Sequence, residues 1–210
     1  MQIVTISSAR LPERVWLKFD DDSLLPLKVD DVVLLKLKKF VDLSAIEYDK
    51  VQKYSASYLL YEYAIRQLAI SPKTRLSLDQ KLRLYSQKII FKYNYPHNLV
   101  SSLITTTLGI VEEKGLIDDA EFVAYYIRRH PRKSLMDLKF SLQRLGVDLK
   151  NHPHLFVSEK DKIRLLITKK LRHQDLTDVN TKNKLISFLC RKGFALGDVK
   201  SIIDEILNSR

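Results

Sequence analysis

The densest set of side chains able to do chemistry is Arg128, Arg129, Arg132 and Lys133, four cations where a helical pattern meets a turn. Guanidinium and ammonium groups so spaced attract phosphate oxygens or carboxylates through charge-assisted hydrogen bonds. The same charges also complement the negative end of a helix. A second cationic set, Lys162, Arg164, Lys169 and Lys170, lies on the first helical pattern of the C-terminal region. Other groups offer less. His152-Pro153-His154 presents two imidazoles, but no nearby Cys or carboxylate completes a metal site. Asp118-Asp119 is an acid pair at a helix start, where capping accounts for both carboxylates. Tyr54, Tyr58, Tyr61 and Tyr63, or Tyr125 and Tyr126, could stack bases between cations. Their helical spacing instead favours half-buried packing with the hydroxyl wet. The single Cys190 supports no internal disulfide and reads as a packing residue. No phosphate-cradling Gly-x-x-x-x-Gly-Lys loop, Gly-x-Ser-x-Gly elbow or dinucleotide fingerprint occurs. No catalytic residue, metal or cofactor is therefore expected.

The segments that must position the cations centre on Gly115 to Arg129, which holds a helix stop and a helix start. Gly115 suits the left-handed stop, and Leu116 after it is expected to fold back near Val111. Asp118 then reads as an N-cap, with Glu121 in the capping-box place and Phe122, Val123, Tyr126 and Ile127 on one face. Gly146 and Gly193 repeat the punctuation: each follows a Leu-x-x-x-Leu pattern and precedes an apolar residue able to touch Leu142 or Leu189. Aligning the two glycines sets Leu138 on Leu185 and Leu142 on Leu189, and sliding back sets Leu138 beside Leu78 and Leu142 beside Leu82. The result is a degenerate repeat of roughly fifty residues, as in arrays of small helical units.

The expected fold is thus mainly α: tandem three-helix repeats in an elongated array, preceded by a small N-terminal β-rich region. That region, 1–47, holds strands at Ile3 to Ile6, Val15 to Phe19 and Leu25 to Val29, the last placed at an edge by Pro26, and a short helix capped by Asp30-Asp31. Repeat 1, 48–115, has helices from near Asp49 to Ala69, from Thr74 past Phe91, and from His97 to Lys114. Repeat 2, 116–157, has helices from Asp119 to Arg129 and from Ser134 to Gly146. A third helix there is in question, because Pro153 cannot sit in a helix interior. Repeat 3, 158–210, has helices near Ser158 to Arg172, Thr181 to Lys192, and Leu196 to Leu207.

The motif Gly-Leu-Ile-Asp-Asp-x-x-Phe-Val-x-x-Tyr-Ile-x-Arg at Gly115 to Arg129, the Leu-x-x-x-Leu helix ending at Gly146, and Phe-Leu-x-Arg-Lys-Gly-Phe at Phe188 to Phe194 resemble the RecX regulatory proteins. The likeness covers about Tyr48 to Leu207. It departs at 148–159, where members usually carry a full third helix. The resemblance implies a regulator of the RecA recombinase in DNA repair, recombination and the SOS response. Such a protein docks in the groove of a RecA filament on single-stranded DNA, inhibiting strand exchange and altering the partner's ATP hydrolysis.

Charge and hydropathy set the remaining bounds. With 36 Lys and Arg against 25 Asp and Glu, the net charge of +11 suggests attraction to DNA, RNA or an acidic protein groove. No run approaches the roughly 18 apolar residues of a membrane span, and the N-terminus does not read as a secretion signal, so a cytoplasmic, monomeric protein without a membrane partner is expected. The RecA filament is the first candidate partner and single-stranded DNA the second. The competing reading is a stand-alone DNA- or RNA-binding helical protein.

Overall fold

A computed structural model describes residues 1–9, 13–148, 150, 159–171, 176 and 178–208. The chain divides into two compact units, Met1–Ile117 and Asp118–Arg210.

The first unit begins with an antiparallel meander of β1 (Ile3–Ser8), β2 (Arg14–Phe19) and β3 (Leu24–Lys28), in that order across the sheet. Alternation in β2 buries Leu17 and Phe19 and leaves Lys18 exposed between them. Pro26 sits on an edge strand, as its missing N–H requires. Helix α1 (Val29–Leu34) follows without a linker. Asp30 and Asp31 lie inside its first turn and do not cap it: the N-cap is Lys28, whose ammonium pairs with Asp30 at 2.7 Å.

Three longer helices complete this unit: α2 (Ala45–Ile70), α3 (Arg75–Tyr93) and α4 (His97–Glu113). Helix α2 starts four residues earlier than the apolar period suggests. A full capping box holds it there, with the Ser44 hydroxyl accepting from Glu47 N and Glu47 accepting from Ser44 N. At its other end the buried Lys73 folds back, and its ammonium donates to Gln67 O at 3.2 Å and Ser71 O at 2.8 Å. Helix α2 packs on β3, α3 and α4, enclosing Val51, Leu60, Leu78, Leu82, Ile104 and Val111 together with the sheet residues. Each such side chain contributes about 1.5–3 kcal/mol by leaving water. A buried relay crosses this core. Ser55 donates to Pro26 O at 2.6 Å, so its oxygen accepts from the Tyr95 hydroxyl 2.5 Å away. Helix, strand and linker are thereby joined, and burial pushes the Tyr95 phenol above its ordinary range.

The second unit contains α5 (Asp119–Arg129), α6 (Leu135–Arg144), α7 (Lys160–Leu171), α8 (Val179–Arg191) and α9 (Leu196–Asn208), with no strand among the described residues. Helices α5 and α6 enclose Phe122, Val123, Leu142 and Val147, while α7, α8 and α9 enclose a separate cluster around Ile163, Ile167, Leu189, Phe194, Val199 and Ile203. Of the segment 148–159, where a third helix is in question, residues 149 and 151–158, and with them the His152-Pro153-His154 pair, lie outside the described residues.

The glycine stops have the expected geometry. Gly115, Gly146 and Gly193 have φ of 64°, 84° and 82°. Each is followed by the pair of closing bonds of a Schellman turn, such as Phe194 N to Leu189 O at 3.2 Å and Gly193 N to Cys190 O at 2.9 Å. Val147 and Phe194 fold into their cores beside Leu142 and Leu189. Leu116 does not: 42% of it stays exposed, and Ile117 packs on the core in its place. Asp118 caps α5 by accepting from Glu121 N at 3.0 Å, without the return bond of a capping box among the described residues.

Candidate functional site

The corner between α5 and α6 places the first cationic set. Helix α5 ends because His130 leaves helical geometry, its N–H still reaching Tyr126 O and Ile127 O at 3.1 Å, and Pro131 follows. Helix α6 restarts at Ser134, whose hydroxyl accepts from Asp137 N at 3.1 Å. Arg128 and Arg129 in the last turn of α5 and Arg132 in the short turn after it project as exposed side chains, and no carboxylate among the described residues pairs with them. Lys133 differs. It is half-buried, donates to Tyr126 OH at 3.1 Å and Ser141 Oγ at 2.8 Å, and lies 5.3 Å from the Tyr126 ring centre. Its ammonium therefore fastens α5 to α6 and is less available to a ligand than the three arginines.

The second set splits in the same way. Arg164 pairs with Glu205 on α9 at 2.5 Å, and its hydrogen bond holds the Glu205 carboxyl below the ordinary carboxylate range. Lys162 is half-buried and its ammonium reaches Lys133 O at 3.5 Å, bringing the two sets together at the α5–α6 corner. Lys170 lies 5.2 Å from the ring centre of Phe188 on α8. Lys169 alone of the four is exposed with no partner among the described residues. Four of the eight sequence candidates, Arg128, Arg129, Arg132 and Lys169, are thus free to meet an external anion.

Helix α8 adds cations that the sequence reading left within the general charge. Lys184 and Arg191 are exposed and make no hydrogen bond or close ion pair among the described residues, and Lys192 lies 5.3 Å from the Phe188 ring centre. Their spacing of seven and eight residues, with Phe188 between, is the signal that would have singled them out, because it sets all of them on one side of a helix.

The tyrosines are mostly committed. Tyr63 stacks on Tyr85 at 4.1 Å, and Tyr126 stacks on His130 at 4.2 Å. Tyr54, Tyr58 and Tyr61 line a cleft of about 580 Å³ between α2 and α4. Charges around that cleft answer one another: Arg14 ion-pairs with Glu62 and donates to Tyr58 OH at 3.2 Å, and Lys114 donates to Tyr61 OH at 2.8 Å. It presents no uncompensated charge comparable with the α5–α6 corner. Among the described residues no group of three or more His, Cys, Asp or Glu could hold a metal ion, and no helix is long and apolar enough to cross a membrane.

What these features define is a mainly helical protein with a small N-terminal sheet whose accessible chemistry is a set of unpaired cations on helix ends and faces. Its fold is that of the RecX regulatory proteins. A crystal structure of regulatory protein RecX matches 97% of this chain and 98% of its own length, with a TM-score of 0.62 and 18% identity. A crystal structure of RecX from Lactobacillus salivarius matches 71% of this chain and 96% of its own, with a TM-score of 0.54 and 21% identity. No family model matches the sequence, and no curated protein matches it. At these identities the likeness is one of fold.

Proposed function

We propose that the chain is a RecX-type regulator that docks on a RecA filament assembled on single-stranded DNA, and that it inhibits strand exchange and ATP hydrolysis by that filament without catalysing a reaction itself. The observation that carries this reading is the fold likeness to a RecX protein over nearly the whole of both chains. The unpaired Arg128, Arg129 and Arg132 support it physically, because exposed cations without internal partners steer a protein towards acidic grooves and phosphates. Helices α2 to α4, the segment 116–157 and the segment 158–210 would act as successive docking modules of a cytoplasmic monomer.

Co-sedimentation with preformed filaments, alongside ATP hydrolysis by the recombinase, tests the proposal. The chain should pellet with recombinase, nucleotide and single-stranded DNA together, and hydrolysis should fall as it is added. Equal pelleting with bare DNA and unchanged hydrolysis would instead establish the competing reading, a stand-alone nucleic-acid-binding protein.

A further inference from the structure

Helices α7 and α8 enclose a recess of about 250 Å³ whose charged lining is wholly basic among the described residues: Lys170 from α7, and Lys184 and Arg191 from α8. Phe188 forms its apolar wall and has a lysine on each flank, Lys170 at 5.2 Å and Lys192 at 5.3 Å from the ring centre. On α8, Lys184, Phe188, Arg191 and Lys192 fall within an arc of roughly 100°. Asp178, six residues before Lys184, caps the helix start, where it accepts from Asn180 N, Thr181 N and the Thr181 hydroxyl. Asp204 faces Lys182, on a different side of α8. Three cations thus line one recess, a fourth, Lys192, flanks its aromatic wall, and the Asp178 carboxylate, bonded to its own helix start, acts on Lys184 only through space.

We infer that this recess binds the phosphodiester backbone of single-stranded nucleic acid. Three features favour that ligand over an acidic protein segment. Three of these four cations are lysines, point charges that donate to phosphate oxygens from many directions, whereas carboxylates are best met by the paired N–H groups of arginine. The Phe188 ring holds two ammonium groups in place, so part of the cost of ordering them is met before binding. The recess, at about 250 Å³, has room for one phosphate and its sugar. The site stands apart from Arg128, Arg129 and Arg132 in composition and position, and its test needs no recombinase, so it can fail while filament docking holds, or the reverse.

The test uses the full chain and a fluorescein-labelled oligothymidylate, titrated from low to moderate salt and read by anisotropy. The double variant Lys184→Ala/Arg191→Ala is compared with the charge-matched Lys53→Ala/Lys88→Ala, and circular dichroism confirms that both fold. The α8 variant should bind on the order of tenfold more weakly at low salt, and the slope of log K against log salt should be shallower by about 1.4, or about 0.7 per lost contact. The charge-matched control should retain wild-type affinity and slope. Polyglutamate supplies the second arm. Absence of wild-type binding to the oligonucleotide, equal losses in both variants, or a loss for polyglutamate with DNA binding unchanged would each overturn the assignment.

Discussion

Replacing Gly193 by Ala perturbs two things at once, and the structure allows them to be separated. At φ 82° a Cβ-bearing residue costs about 1–2 kcal/mol. An added Cβ would also lie 2.6 Å from Ser134 Oγ, too close for any real contact. Ser134 is fully buried and caps α6 through Asp137 N, so turning its hydroxyl aside forfeits a cap worth about 1 kcal/mol. Gly193→Ala should therefore destabilise the second unit by about 2–3 kcal/mol, a fall in melting temperature on the order of 10 °C. Ser134→Ala removes the obstructing oxygen together with the cap. In that background Gly193→Ala should cost only its backbone part, leaving a coupling of about 1 kcal/mol between the two sites. Urea unfolding of the four proteins, followed by far-ultraviolet circular dichroism, measures it. Costs that simply add would refute the contact with the α6 cap, and a Gly193→Ala protein as stable as wild type would refute both that contact and the left-handed stop.

Three further outcomes concern the first unit, where Trp16, the one tryptophan, provides a fluorescence signal. Gly109→Ala should stabilise it by about 1 kcal/mol, because Gly109 lies within α4 and an added Cβ meets nothing within 4 Å; a loss of stability in urea would contradict that. Ser55→Ala should cost about 1–3 kcal/mol by stranding the Tyr95 hydroxyl and Pro26 O, and Tyr95→Phe in the same background should recover part of it; a neutral Ser55→Ala would remove the relay. The raised Tyr95 phenol holds its proton in the folded state where the unfolded chain releases it. Its contribution is therefore complete below the ordinary value of 10.0 and is lost as pH rises beyond it, so wild type should lose more stability than Tyr95→Phe in alkaline unfolding curves.

The parts of this fold legible in the sequence are those in which one residue type answers one local demand. Glycine at 115, 146 and 193 meets a positive φ that other residues resist, and Ser134 and Thr74 cap helices with their own hydroxyls. Boundaries failed where the signal lay outside the apolar period. The Ser44–Glu47 box starts α2 before its first core residue, Val51, whereas its end at Ile70 lies within one residue of the expected stop. Leu116 and Ile117 are equally apolar, and only the direction of the chain after the Gly115 turn decides which enters the core. The cationic candidates were legible as residues and illegible as a site. Whether an arginine is free depends on partners far along the chain: Glu205 lies 41 residues from Arg164, and Phe188 reaches Lys170 from another helix. No local pattern distinguishes the engaged Arg164 from the unpaired Arg128.

The central claim is that the chain regulates a recombinase filament through the unpaired arginines at the α5–α6 corner. Its most direct test is the affinity of wild type and of Arg128→Ala/Arg129→Ala/Arg132→Ala for RecA filaments on single-stranded DNA, at one fixed salt concentration. All three side chains are exposed and make no internal bond among the described residues, so the variant should keep the wild-type melting temperature. The account predicts that it nevertheless loses filament affinity by tenfold or more. A folded variant that binds the filament as tightly as wild type would contradict it.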